Sequence, residues 1–289
     1  MKADHERRRK LRALLQAPGI LVAPGAFDAL SGRIVERAGF EAAFFTGGGL
    51  SRSSGFPEIG LVTMTEVLDR VGRMVESMSI PLIVDADTGY GNAINAIRSV
   101  QEFERLGVAA IQFEDQVTPK RGGHWSGKQV VSKDEMVKKL RAAVEIREDP
   151  DLVLVARVDA IAVEGFERAM ERALAYRDAG ADVLFVEAPT STEEVAEIPK
   201  RLAGTPCLLN RVPRGGKTPL LSAPEAERLG YKIVIFPADP QLAAIHAMKG
   251  LLAHLKEKGT TDGYPAIPMP ERDEIVGWDV WRAREERYL

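Results

Sequence analysis

Polar side chains that close short apolar runs are the first chemistry the sequence offers. Asp85 and Asp87 end PLIVDAD at 81–87, Glu114 and Asp115 end AAIQFED at 109–115, Arg157 and Asp159 end LVLVARVD at 152–159, and Glu187 nearly ends DVLFVEA at 182–188. Thr46, with Gly47, Gly48 and Gly49, follows AAFF, and Asn210 with Arg211 follows PCLL. Asp85 and Asp87 are two apart, so an extended chain presents both on one face. Carboxylates gathered in one place repel unless a cation neutralises them. Oxygen ligands on scattered segments suit a hard divalent ion, Mg²⁺ or Mn²⁺, that keeps several of its waters. Thr46-Gly-Gly-Gly offers unhindered amides to a carboxylate or a developing oxyanion, and Arg157 offers a two-pronged fork for a substrate carboxylate. Taken singly, each has a plainer explanation: a lone Asp after a strand often caps a helix, and a Gly triplet makes a tight turn. Taken together, they point to a Mg²⁺-dependent site where metal and amides stabilise an enolate of a small carboxylate.

Such a site requires that the segments end at one place. Eight apolar runs, beginning at residues 20, 42, 81, 109, 152, 182, 206 and 232, are nearly continuous rather than alternating, as parallel strands covered on both faces should be. Between them lie stretches of helical period, such as Val67, Leu68, Val71, Met74, Val75 and Met78. The S/T-x-x-E spacing of a capping box occurs at Thr63–Glu66, Ser132–Glu135, Ser191–Glu194 and Ser222–Glu225. RAGFEAAFF, RLGVAAIQF, DAGADVLFV and RLGYKIVIF repeat one helix-Gly-strand phrase. Eight β-then-α units without an internal linker predict a single (β/α)₈ TIM-type barrel over 1–258, with a doubly wound open sheet as the alternative. Residues 259–289 exceed what eight units need and form a C-terminal helical extension. Its Trp278, Trp281 and Tyr288 pack either on the same barrel or on a neighbouring subunit.

Composition narrows the partners. The 289 residues are 45% hydrophobic, and 39 Lys and Arg against 42 acids give a formal net charge of -3, so no global basic field exists to hold a nucleic acid or an anionic membrane. A small molecule is the expected partner. The basic run Arg7–Lys10 reads as the solvated face of a first helix. His246 and His254 fall on an outer barrel helix expected at 240–258. A single cysteine, Cys207, forms no internal disulfide, and the first residues are too charged and interrupted for a secretory or spanning segment, which predicts a reducing, cytoplasmic setting.

The same residues carry a resemblance. PGAFDALSGRIVERAGF at 24–40, FTGGG at 45–49, VDADTGYGN at 84–92, FEDQVTPKRGGH at 113–124, VARVDA at 155–160, FVEAP at 185–189, LLN at 208–210 and GGKTPLLS at 215–222 occur in order. With them the chain resembles the isocitrate lyase/phosphoenolpyruvate mutase superfamily, in particular its methylisocitrate lyase-like and carboxyphosphonoenolpyruvate phosphonomutase-like members. The resemblance implies an α/β barrel, usually tetrameric, whose C-terminal helix is exchanged between subunits. It implies Asp87 as direct Mg²⁺ ligand, with Asp85 and Glu114 on the ion's waters. It implies a substrate site of Phe44, Thr46, Gly47, Gly48, Arg157, Glu187 and Asn210. Catalytic roles fall to Glu58, Lys120, His124 and Arg157, with Lys120 and His124 on a mobile gating loop.

Two departures bear on the reaction. The lyases carry a cysteine, thought to be the general acid, where this chain has Gly122, and they commonly carry Asp where it has Glu58. Glycine has no proton to give, and Cys207, on another strand, reads as a buried small hydrophobe. The expected activity is therefore Mg²⁺-dependent C–C cleavage of a small 2-hydroxy or 2-oxo acid, including decarboxylation of an acid such as oxaloacetate, whose enolate water can protonate. P–C bond chemistry and a catalytically silent barrel that binds a 2-oxo acid are the alternatives.

Overall fold

The structure, a computed structural model, describes residues 2–213 and 215–289. Its elements run α1 (Lys2–Gln16), β1 (Leu21–Ala26), α2 (Ala29–Arg37), β2 (Ala43–Phe45), α3 (Gly47–Ser53), α4 (Met64–Ser77), β3 (Leu82–Asp85) and α5 (Ala93–Leu106). There follow β4 (Ala110–Glu114), α6 (Lys133–Ile146), β5 (Val153–Val158), α7 (Ile161–Glu164), α8 (Phe166–Asp178), β6 (Val183–Val186), α9 (Thr192–Arg201) and β7 (Cys207–Asn210). The chain ends with α10 (Ala223–Leu229), β8 (Ile233–Phe236), α11 (Asp239–Lys258), α12 (Met269–Ile275) and α13 (Trp278–Tyr288). The strands pair in sequence order, all parallel, and β1 closes on β8. This is the (β/α)₈ barrel expected, and the open sheet is excluded.

Alternation along each strand divides the core in two. Leu21, Ala23, Phe44, Ile83, Ala110, Val153, Val155, Val183, Phe185, Leu208, Ile233 and Ile235 fill the barrel interior, and Leu11 of α1 joins them from below. The residues between them, including Val84, Ile111, Phe113, Leu154, Leu184, Leu209 and Val234, form the separate layer against the helices. The inward columns of β3 to β7 are apolar at their base and polar at their carboxyl end: Ile83 leads to Asp85, Ala110 to Gln112 and Glu114, Val155 to Arg157, Phe185 to Glu187, and Leu208 to Asn210. Cys207 lies in the outer layer, with its thiol on the Thr205 carbonyl and pushed up to about 12 by burial, so it is remote in role from the barrel mouth.

The local signals behave as their chemistry requires. Gly39, Gly107, Gly180 and Gly230, the glycines of the repeated phrase, all have positive φ. The capping box closes both ways at Thr63–Glu66 and Ser222–Glu225. At Ser132 and Ser191 only the hydroxyl half forms, and at Ser191 this is because Glu194 turns instead to the Thr190 amide. The reading of Arg7–Lys10 needs correction. Arg9 and Lys10 are exposed, but Arg8 is buried, donating to the Val108 carbonyl and pairing with Asp149 at 2.8 Å, while Arg7 donates to the Val75 and Met78 carbonyls. Loop carbonyls at the barrel's lower rim need donors, and α1 supplies them.

Candidate active site

Strand register brings the polar ends together. β4 and β5 pair Glu114 with Arg157, and β3 and β4 pair Asp85 with Gln112. Arg157 therefore lies 3.3 Å from Glu114 Oε2, grips Asp159 with Nε at 2.8 Å and Nη2 at 3.1 Å, and reaches to within 3.5 Å of Glu187. Gln112 Nε2 donates to Asp85 Oδ1 at 3.2 Å, and Asn210 Nδ2 donates to the Glu187 carboxylate. After β3 the backbone turns through a left-handed Asp87 with φ of 48°, a conformation Asp tolerates better than most residues. The Asp87 carbonyl accepts from the Glu114 amide, and the Asp87 amide donates to Asp85 Oδ1.

The segment from Gln116 to Val130 folds down over this array. Gln116 brackets it by bonding both the amide and the carbonyl of Arg121, and the Gly122 amide donates to the Glu58 carbonyl. Lys120 Nζ lies 2.9 Å from Asp87 Oδ1 and 3.0 Å from Glu58 Oε1, while Arg52 holds Glu58 Oε2 at 3.1 Å. Lys128 Nζ, buried, donates to Asp159 Oδ1 at 2.8 Å. His124 Nδ1 accepts from the Lys217 amide at 2.9 Å, which leaves the ring proton on Nε2, 3.4 Å from Glu187. A Cβ on Gly123 would lie 2.0 Å from Glu187 Oε1 and 2.4 Å from Arg157, so only glycine lets the loop descend this far.

Together these elements enclose a cavity of about 290 Å³. Phe44, Thr46, Gly48, Glu58, Asp85, His124, Arg157, Glu187 and Asn210 all line it, as does Gly122. Gly47 sits directly over Asp85, and Asp87, Glu114 and Lys120 join the lining residues from behind through ion pairs. Thr46 caps α3 by accepting from the Gly49 amide. The residues expected to hold metal and substrate or to act in catalysis thus belong to one connected group, whereas Arg211 pairs with Asp239 outside it and Asp115 accepts from Arg172, Tyr176 and the Asp159 amide. Four contributors had no sequence signal of their own: Arg52, Lys128, Trp125 and the apolar residues of α11, whose roles depend on contacts between distant segments.

Burial and charge act against each other here. Burial, with Asp87 adding to it, pushes Asp85 up to about 6, and it pushes Glu114 well above the usual carboxylate range despite Arg157 and Lys120. Burial would lower Lys120, but Asp87, Glu114, Glu58 and Asp85 hold its ammonium well above the ordinary value. Burial raises Glu58, yet Lys120 and then Arg52 bring it below the usual range. Burial likewise opposes Asp159, which Arg157 and Lys128 hold at about 2, and it keeps His124 below the ordinary imidazole value.

The group holds the carboxylates of Glu58, Asp87, Glu114, Asp159 and Glu187, ion-paired with Arg52, Lys120, Lys128 and Arg157, and that of Asp85, which accepts from Gln112 and the Asp87 amide. Ionised, it carries two surplus negative charges, and Glu114 Oε1 is buried with no hydrogen-bond partner. Both features fit a divalent cation. Among the described residues no three His, Cys, Asp or Glu side chains close into a metal cage.

Fold and site together define a (β/α)₈ enzyme with a carboxylate–cation array at the carboxyl ends of its strands. The chain belongs to the phosphoenolpyruvate phosphomutase family, whose profile matches residues 11–256, and thereby to the isocitrate lyase/phosphoenolpyruvate mutase superfamily. It is 45% identical over 282 residues to the 2,3-dimethylmalate lyase of Eubacterium barkeri, covering 96% of this chain and 97% of that one. It is 45% identical over 250 residues to the 2-methylisocitrate lyase of Aeropyrum pernix, covering 86% and 80%. A crystal structure of 2,3-dimethylmalate lyase aligns with a TM-score of 0.91 at 38% identity, covering 99% and 95% of the two chains. Oxaloacetate acetylhydrolase in complex with the inhibitor 3,3-difluorooxalacetate aligns with a TM-score of 0.93 at 35% identity, covering 98% and 97%. Phosphonopyruvate hydrolase in complex with oxalate and Mg²⁺ aligns with a TM-score of 0.88 at 31% identity, covering 98% and 99%.

Proposed function

We propose that this protein is a Mg²⁺-dependent carbon–carbon lyase that acts on a small 2-hydroxy or 2-oxo carboxylic acid through an enolate. The observation that carries this reading is the buried array, which fully ionised has two negative charges in surplus, with its unpartnered Glu114 oxygen. Asp87 would hold the ion, with Asp85 and Glu114 on its waters. When bound, the ion would draw electron density from the substrate's C2 oxygen and carboxylate.

The chain's own residues do the rest. Thr46, Gly47 and Gly48 present their end of α3 to the substrate carboxylate. Glu58, kept ionised by Lys120 and Arg52, accepts the proton of a C2 hydroxyl rather than donating one. Arg157, fixed by Asp159 and stacked over Phe185 at 5.2 Å, meets negative charge with little reorganisation. Glu187 and Asn210 orient the polar side opposite Thr46. His124 directs its Nε2 proton into the cavity as a neutral donor toward the departing fragment. The descended loop excludes bulk water.

One feature favours decarboxylation or hydrolysis of a 2-oxo acid as a second reading: Gly122 lines the cavity without a side chain and can give no proton, and decarboxylation, whose enolate water can protonate, needs none from that position. Turnover of 2,3-dimethylmalate, 2-methylisocitrate, oxaloacetate and phosphonopyruvate, followed by NMR with and without Mg²⁺, separates the readings. Mg²⁺-dependent C–C products are expected. Phosphonopyruvate cleavage alone would reassign the protein to P–C chemistry, and binding without product would make it a silent barrel. The reading also includes assembly: residues 259–289 form an arm beyond the 1–258 barrel, exchanged between copies of the chain in a tetramer.

A further inference from the structure

Lys128 is a buried cation with no part in the proposed chemistry. Its side chain and that of Asp159, which it meets at 2.8 Å, are 1% and 0% exposed. Burying such a pair strips hydration from both partners, and an apolar side chain of similar volume often holds a segment as well or better. Anchoring is in any case supplied by the backbone beside it. Gln116 and Val130 form an antiparallel bridge, the Val117 amide donates to the Gln129 carbonyl, and the Val131 amide donates to the Asp115 carbonyl. The charge of Lys128, rather than its grip on the loop, therefore calls for a role, and Asp159 is where that charge is delivered.

Asp159 stands between two cations. Its Oδ2 accepts from Arg157 Nε at 2.8 Å, and its Oδ1 is shared by Arg157 Nη2 at 3.1 Å and Lys128 Nζ at 2.8 Å. Its backbone is fixed from the other side: the Asp159 amide donates to Asp115 Oδ1 at 2.7 Å, and Asp115 Oδ2 accepts from Tyr176 and Arg172 of α8. Burial would raise Asp159, but Arg157 and Lys128 hold it at about 2, so it is ionised at neutral pH. Arg157 also faces Glu114 at 3.3 Å and Glu187 at 3.5 Å, so three carboxylates compete for its one charge. We infer that Lys128 is a positioning residue that acts through Asp159: by neutralising that carboxylate it leaves the charge of Arg157 directed into the cavity, where a substrate anion can use it. The inference rests on the lyase reading, which gives Arg157 to the substrate. Arg157, Lys128 and Asp159 together carry one positive charge. Without Lys128 they carry none, and Arg157 keeps its place only as the partner of Asp159. Inside a site that excludes water, such a change in charge is weakly screened.

The test is calorimetry of oxalate binding to the full chain in the presence of Mg²⁺, with circular dichroism to establish folding. Lys128→Met should weaken binding about tenfold, the scale of one hydrogen bond to a charged group. Adding Asp159→Asn removes the uncompensated anion and returns the trio to one positive charge, so the double variant should bind about fivefold more tightly than Lys128→Met alone. Loss of two anchors predicts the reverse order, with the double variant the weakest. Lys128→Gln, which keeps a donor to Asp159 but not the charge, takes the place of Lys128→Met in both proteins if the methionine variant does not fold, with the same outcomes expected. Wild-type affinity in the single variant, or a double variant that binds no more tightly than the single one, overturns the inference and leaves the lyase reading intact. Failure of the wild-type protein to bind oxalate with Mg²⁺ removes the lyase reading and the inference with it.

Discussion

Lys120 illustrates how single residues are balanced in this site. Its ammonium bridges Asp87 and Glu58, so it neutralises the proposed metal ligand on one side and keeps the proposed base ionised on the other. Asp87→Ala should therefore abolish Mg²⁺-dependent turnover without unfolding the protein, because Lys120 retains Glu58 and the strand itself is untouched. Calorimetry of Mg²⁺ uptake, activity and circular dichroism read the three expectations, and full activity in the variant would refute the metal assignment. Gly122 supports a sharper prediction. A Cβ there would lie 3.1 Å from Glu58 Oε2 and 3.4 Å from Trp125, so a cysteine thiol at this position sits against a carboxylate. A neighbouring anion keeps a thiol protonated, which is the state an acid needs. Gly122→Cys should raise cleavage of 2-hydroxy acids by about a hundredfold, within the range of a positioned general acid, and leave oxaloacetate decarboxylation nearly unchanged. No gain with any 2-hydroxy acid would remove the argument from the missing acid.

At the scale of elements, the two-residue period of the strands explains why so much of the site was readable. Asp85, Glu114, Arg157, Glu187 and Asn210 are the last inward members of columns that begin with apolar residues, so strand ends found by pattern also locate the site. Gln112 was within reach of the same reasoning, two residues before Glu114. Lys128 and Trp125 were not, because their loop has no period and its position is set by Gln116, Glu58 and Lys217 from elsewhere in the chain. The charges of α1 misled for a related reason: helical period tells which residues share a face but not whether that face meets water or unsatisfied carbonyls. Arg8 meets two carbonyls and Asp149, so Arg8→Met should cost about 3 kcal/mol in chemical denaturation, the scale for breaking a buried pair. Burial raises Asp149, but Arg8, the Asp151 amide and His5 hold it net below the ordinary carboxylate value. A depressed folded-state value stabilises above the unfolded pKa of about 3.9, and the contribution disappears as pH falls through the folded value. Wild-type melting temperature should therefore drop more steeply than that of Asp149→Asn as pH is lowered from 5 toward 2, and parallel curves would exclude this pair as an acid-sensitive clamp.

For the whole molecule, exposed apolar side chains gather along α11 and the C-terminal arm. Leu242, Met248, Leu252 and Leu255 leave an apolar stripe on α11 in contact with solvent, and Met248 is 55% exposed. The arm presents Met269, Trp278, Val280, Trp281 and Tyr288, with Trp281 at 60% and Tyr288 at 72% exposure. Its polar hold on its own barrel includes Arg33 on the Ile275 carbonyl and Arg37 on the Glu274 carbonyl, both from α2, which anchors α12 but buries none of these aromatic residues. Two uncovered apolar surfaces lie on one chain, one a helix face and the other a helical arm, and the proposed exchange between copies would cover both, since contiguous patches of this kind mark interfaces. Among the described residues no helix is long and apolar enough to cross a membrane. Leu242 and Ile245 belong to both the α11 stripe and the cavity wall, so an arm seated on α11 from a second copy would press on the substrate site. Truncation after Lys258 should then do two things at once: lower the hydrodynamic mass in sedimentation, and raise KM more than it lowers kcat. An unchanged mass would mean the arm serves only its own barrel. A reduced mass with unaltered KM would keep the exchange but separate it from the site.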